Sequence, residues 1–141
     1  MNKKLWIGFA AVCLGMILMT FLIHAVLLLP TYQSDEMKMM MRPEAEAKTW
    51  IHIVSAIIVS FFFTLIFSKG REGKGIGEGV RYGFYVGMLM SIPMAYDTYA
   101  AMPIPYSLAL RWFLYGVIQY VILGIVVAAV FGKKSDAQAS T

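Results

Sequence analysis

Apolar residues in this chain come in long unbroken runs, not at the spacing of an amphipathic surface helix. Charge-free or nearly charge-free stretches cover residues 5–29, 49–67, 80–96 and 106–131. A membrane span needs about 20 apolar residues to cross roughly 30 Å of hydrocarbon at 1.5 Å per residue. Each stretch therefore predicts one transmembrane helix. The third is the shortest and opens on Arg81, and the fourth carries one internal charge, Arg111. A soluble bundle needs a polar outer face on every helix, and none of these stretches has one. The predicted fold class is an all-α membrane protein, a four-transmembrane-helix bundle of two antiparallel hairpins within one domain, 1–132.

Composition agrees. Hydrophobic residues make up 60% of the 141 positions and charged residues 14%, against roughly 25% charged in average soluble proteins. The basic residues decide orientation, because they accumulate on the cytoplasmic side of spans. If the spans alternate, Lys3, Lys4, Lys69, Arg71, Lys74, Arg81, Lys133 and Lys134 fall on one face. Lys38, Arg42 and Lys48 fall on the other, among Asp35, Glu36, Glu44 and Glu46. Both termini are accordingly expected in the cytoplasm, with 133–141 a disordered tail. The net charge of +4 is this topology signal, and a nucleic-acid partner is not expected. The first apolar run exceeds the roughly 7–15 residues of a secretory signal and lacks its cleavage site, so it is read as a retained span. Cys13 is the single cysteine and reads as apolar filler within that span.

In lipid, small and polar residues mark the buried faces of helices. Stripes at intervals of four run through Met16, Thr20 and His24, through His52, Ala56, Ser60 and Thr64, and through Ser107, Arg111, Tyr115 and Gln119. The third span carries Gly75, Gly79, Gly83, Gly87 and Ser91. This extended G-x-x-x-G run suits close approach by a neighbouring span or by a protein partner. The Gly79/Gly83/Gly87 face is the expected surface for such a partner or for a homo-oligomer. Pro93 removes a backbone donor near the outer end of the same span and predicts a kink there.

Counting 1.5 Å per residue, His24, His52, Asp97 and Arg111 all fall within roughly 10 Å of the outer interface, with Tyr96, Tyr99, Tyr106 and Tyr115 at the same level. Ionisable groups inside a membrane are costly and mark candidate sites. His24 and His52 lie at similar depth on consecutive antiparallel helices, as bis-imidazole ligation requires, so haem b or a metal ion is the candidate cofactor. Asp97 and Arg111 bracket one short turn and are placed to form a salt bridge; Tyr96 and Tyr115 complete the polar cluster. Tyr and Trp also serve as plain interface anchors, which accounts for Trp50 and Trp112. Met37, Met39, Met40 and Met41 on the outer loop form a second soft-donor set. No HExxH, G-x-S-x-G or phosphate-loop motif is present, and no catalytic residue is assigned.

The segments FLIHAVLLLPTY, WIHIVSAIIVSFFFTLIF and GEGVRYGFYVGMLMSIPMAYDTYAAMPIP, with LGIVVAAVF in the fourth span, resemble an uncharacterised family of small four-span bacterial membrane proteins. The resemblance implies a bacterial inner-membrane location and transfers no functional residue. The function classes left open are a non-enzymatic accessory or assembly subunit of a larger membrane complex, a haem- or metal-binding redox module using His24 and His52, and a small oligomeric transporter or channel.

Overall fold

The computed structural model describes residues 2–133. Met1, Lys134 and the rest of the expected tail lie outside the described residues. The described chain is helical with no strand. Helix α1 (Lys3–Phe21) runs into a π-helical segment, Leu22–Leu27. Short helices α2 (Leu29–Tyr32) and α3 (Asp35–Met40) and a 3₁₀ turn, Glu44–Glu46, follow. Then come α4 (Thr49–Gly70), α5 (Ile76–Ile92) with a π segment at Pro93–Asp97, α6 (Thr98–Ala101) and α7 (Tyr106–Phe131).

Three helices are long and apolar enough to cross a membrane: Lys3–Leu27, Thr49–Gly70 and Tyr106–Phe131. α5 is shorter at 17 residues and carries Glu78 and Arg81 in its first two turns. Large apolar side chains such as Phe21, Phe62 and Leu89 point outward along the helices, as a lipid-facing surface would require.

The two π segments have a shared origin. Pro30 cannot donate to the carbonyl four residues before it, and its ring crowds that carbonyl. The chain widens just ahead of it, so that the Leu28 N–H reaches back five residues to Ile23 at 2.9 Å. Pro93 sits at the first position of the second π segment. The predicted kink at Pro93 is therefore a widened turn, a form common where helices carry functional residues.

α1 packs against α4 and α7, and α5 packs along α7 more extensively than any other pair. The α5–α7 seam explains the glycines. A methyl built on Gly79 would overlap the carbonyl oxygen of Gly124, and one on Gly83 that of Tyr120. At Gly87 it would lie 3.1 Å from the Val117 Cα, and at Gly116 it would strike the Ser91 hydroxyl. Glycine lets these backbones meet at van der Waals distance. The expectation of a protein partner or second copy on the Gly79/Gly83/Gly87 face needs correcting on this point: α7 of the same chain fills it.

Contacts between α4 and α5 are sparse by comparison. They are made at the end remote from the histidines. Tyr82 on α5 inserts its ring between Phe63 and Phe67 of α4, at 4.7 and 5.3 Å between centroids. Its hydroxyl donates to the Phe63 carbonyl at 2.6 Å. The core around them joins Val12 and Met16 to Leu123, Val127 and Phe131. A second, smaller core at the opposite end gathers Ile23, Leu28, Met37, Ile104, Leu108 and Ala109.

The basic residues close the first end. The Lys4 ammonium donates to the Phe131 carbonyl at 3.1 Å. The Arg71 guanidinium donates to the carbonyls of Phe131 and Gly132 at 3.2 and 2.7 Å and lies over the Phe131 ring. Cations belong at a helix C-terminus, where carbonyls lack partners and the dipole is negative. In the adjoining loop the Glu78 carboxylate accepts from the backbone N–H groups of Glu72, Gly73 and Lys74. Gly75 makes this approach possible with φ of 86°, a conformation that favours glycine.

Candidate functional site

Because α4 and α5 meet at one end only, the other half of the bundle holds a partly open cavity of about 320 Å³. His24 enters it from the π segment after α1, and His52 from the first turn of α4. Met90 and Ser91 on α5, Met94 on the second π segment, and Trp112, Gly116 and Gln119 on α7 complete much of its wall. The two histidines expected to share a site both line this cavity. Both π segments border the cavity, the first delivering Ile23 and His24 to it and the second Met94.

His24 is held by a relay that reaches back from the outer loop. Its Nδ1 lies 2.7 Å from the Tyr32 hydroxyl, and the two rings are parallel within 6°. The Trp112 indole N–H donates to the same hydroxyl at 2.7 Å. An indole nitrogen is only ever a donor, so the Tyr32 oxygen accepts from Trp112 and is free to give its own proton to His24. Burial pushes the Tyr32 hydroxyl above its ordinary value, a larger effect than the downward pull of the Trp112 hydrogen bond. Tyr32 thus stays protonated at neutral pH. Nδ1 of His24 accepts that proton or donates its own according to the tautomer, and Nε2 is the nitrogen left over for other partners.

On the facing wall the Gln119 amide donates to the Thr20 hydroxyl at 3.1 Å, the Met16 sulfur at 3.2 Å and the Met16 carbonyl at 3.4 Å. Three residues of the α1 and α7 stripes are thereby locked together. No charged side chain lines the cavity.

The rest of the expected cluster is placed elsewhere. Arg111 reaches Thr31 on α2, with 3.2 Å from the guanidinium to the hydroxyl. Asp97 is exposed, and among the described residues no ion pair joins it to Arg111. The proximity of the two in sequence across one turn did not bring them together, and the Arg111 guanidinium meets the Thr31 hydroxyl instead. Tyr96 packs on Tyr106 and Phe113 at 6.4 and 5.8 Å. Tyr115 packs against the smaller core. Of the loop methionines, Met37 is buried in that core while Met39 is 85% exposed, so they do not converge.

Sequence reasoning passed over Tyr32, Trp112, Met90 and Met94 as site residues. The signal available was Pro30, which turns the chain so that Tyr32, eight residues after His24, returns to it. Among the described residues no three of His, Cys, Asp and Glu converge as a metal site.

No protein-family model matches this chain, and neither a curated protein nor a solved structure matches it in sequence or in fold.

Proposed function

We propose that the chain is a four-span protein of the bacterial inner membrane and that it binds a small ligand in the cavity between His24 and His52. Both termini and the 71–75 loop are assigned to the cytoplasm. α5 with its π segment, Ile76–Asp97, is the fourth crossing, the opening charges Glu78 and Arg81 lying at the cytoplasmic end. Support for the orientation comes from Lys4, Arg71, Lys74, Arg81 and Lys133, which belong to one end of the bundle, where positive charge marks the cytoplasmic side.

The observation that carries the binding reading is the cavity itself. A concave site between helices of a bundle, apolar with a few convergent polar groups, is the usual form of a ligand site. This one contains both histidines of the chain. Among the described residues no hydrogen bond joins either histidine to Ser55 or Ser91. An accessory subunit docking through the glycines loses support because α7 occupies that face. A transport path through Asp97 and Arg111 loses support because neither lines the cavity.

Two experiments test the proposal. Reporter fusions within residues 34–48 and at the C-terminus should report opposite sides, with the C-terminus cytoplasmic. For the cavity, Ser55→Cys in a Cys13→Ser background should react with a small membrane-permeant thiol reagent. Leu18→Cys, outward on α1 and surrounded by lipid, should stay inert because no thiolate forms there. Equal inertness of Ser55→Cys would sink the cavity reading.

A further inference from the structure

The wall of the cavity holds a donor set that the histidines alone did not disclose. Three thioethers, Met16, Met90 and Met94, line it together with the imidazoles of His24 and His52. They come from α1, α4, α5 and the two π segments, so the set exists only in the folded chain. Met90 and Met94 are one helical turn apart and part-exposed, at 39% and 46%. Met16 lies at its buried back wall, 6% exposed.

We infer that this cavity is a monovalent copper site, with His24, His52 and the Met90/Met94 pair as the candidate ligands for Cu(I) and Met16 behind them. The inference rests on the cavity being a ligand site, as proposed above. Its chemistry follows from what the wall contains and what it lacks. Thioether sulfur is a soft donor that selects Cu(I), whereas Mg²⁺ and Ca²⁺ demand carboxylate, carbonyl or water oxygen. All five donors are neutral, and no acidic side chain lines the cavity. A divalent ion would keep its whole double charge in a low-dielectric site, and buried charge without compensation is heavily penalised. A monovalent ion leaves half of that charge. An anionic ligand fits no better, since no Lys or Arg lines the wall. The same lack removes the cationic partners that haem propionates would take.

The relay at Tyr32 suits ligation. A metal-bound imidazole needs its other nitrogen held by a hydrogen-bond partner that fixes ring orientation. Tyr32 already holds Nδ1 of His24. For Nε2 to bind metal, the proton moves to Nδ1 and Tyr32 accepts it as a hydrogen bond beside that of Trp112. The two lone pairs of the hydroxyl allow both. Only a change of tautomer is involved, with no net loss of a proton and no change of copper oxidation state.

The test is anaerobic titration of the purified full-length protein in detergent with Cu(I) held by a chromophoric Cu(I) chelator. One Cu(I) per chain should be withdrawn from the chelator, and X-ray absorption should show nitrogen and sulfur neighbours together. His52→Leu and the double variant Met90→Leu/Met94→Leu should each weaken binding tenfold or more while remaining monodisperse and helical. Cys13→Ser and Met39→Leu, outside the set, should leave it unchanged. Zn²⁺ in excess should not displace the copper. Absence of copper uptake by folded protein overturns the inference, as does uptake undiminished in the double variant or abolished by Cys13→Ser. If copper fails while Ser55→Cys remains reactive, the cavity stands and takes a ligand of another class, such as a lipophilic quinone. If Ser55→Cys is inert as well, both readings fall together.

Discussion

The Tyr32 hydroxyl is engaged on both sides, by the Trp112 indole N–H and by Nδ1 of His24, each at 2.7 Å. Removing it leaves two polar groups in a partly buried place without partners. A lost hydrogen bond of this kind costs about 1–3 kcal/mol when the remaining group stays desolvated. Tyr32→Phe should therefore lower stability by about that amount and release His24 from its fixed orientation. Trp112 can report the change directly. With Trp6 and Trp50 replaced by Phe, its emission should shift to the red and become more accessible to a water-soluble quencher in Tyr32→Phe. An unmoved spectrum would mean that the hydroxyl does not hold the indole.

At the scale of elements, the α5–α7 seam depends on bare backbone. Gly83 faces the Tyr120 carbonyl with no room for a methyl group, and backbone cannot yield as a flexible side chain does. Gly83→Ala should force the helices apart at a cost of about 1–3 kcal/mol, despite the better helix propensity of alanine. Gly77 on the same helix has open space where its Cβ would be. Gly77→Ala should be neutral or stabilising by up to about 1 kcal/mol, since only the propensity difference remains. Thermal melts of the two variants in one detergent separate the effects, and equal melting temperatures would contradict the seam. The G-x-x-x-G spacing announced close packing but not its partner. Glycine spacing describes one helix face, and the identity of the facing helix depends on how the chain turns between them.

For the whole molecule, the cavity exists because α4 and α5 are pinned at one end and separate toward the other. Tyr82 is the pin, through its hydrogen bond to Phe63 and its place between Phe63 and Phe67. Tyr82→Leu should loosen the pair without unfolding the α1–α7 and α5–α7 contacts. Spin labels at Trp50 on α4 and Thr98 on α6, in a cysteine-free background, should give a broader distance distribution in this variant. An unchanged distribution would show that the separation is built into the helices themselves.

Membrane character and helix positions were legible in the chain because both are local. A run of apolar residues spans a fixed length whatever surrounds it, and the fourth expected span, 106–131, coincides with α7. The level of His24 and His52 was legible for the same reason, since depth follows from rise per residue. Rotation about each helix axis was not. Lipid is as apolar as a side chain, so apolar positions do not say which face meets a neighbour. Folding alone decided that Thr31, and not Asp97, meets Arg111, and that Tyr32 returns past Pro30 to His24. Folding also brought Met16 of α1 and the Met90/Met94 pair at the end of α5 to the two histidines. These are contacts between residues far apart in sequence, and only the packing of the helices brings them together.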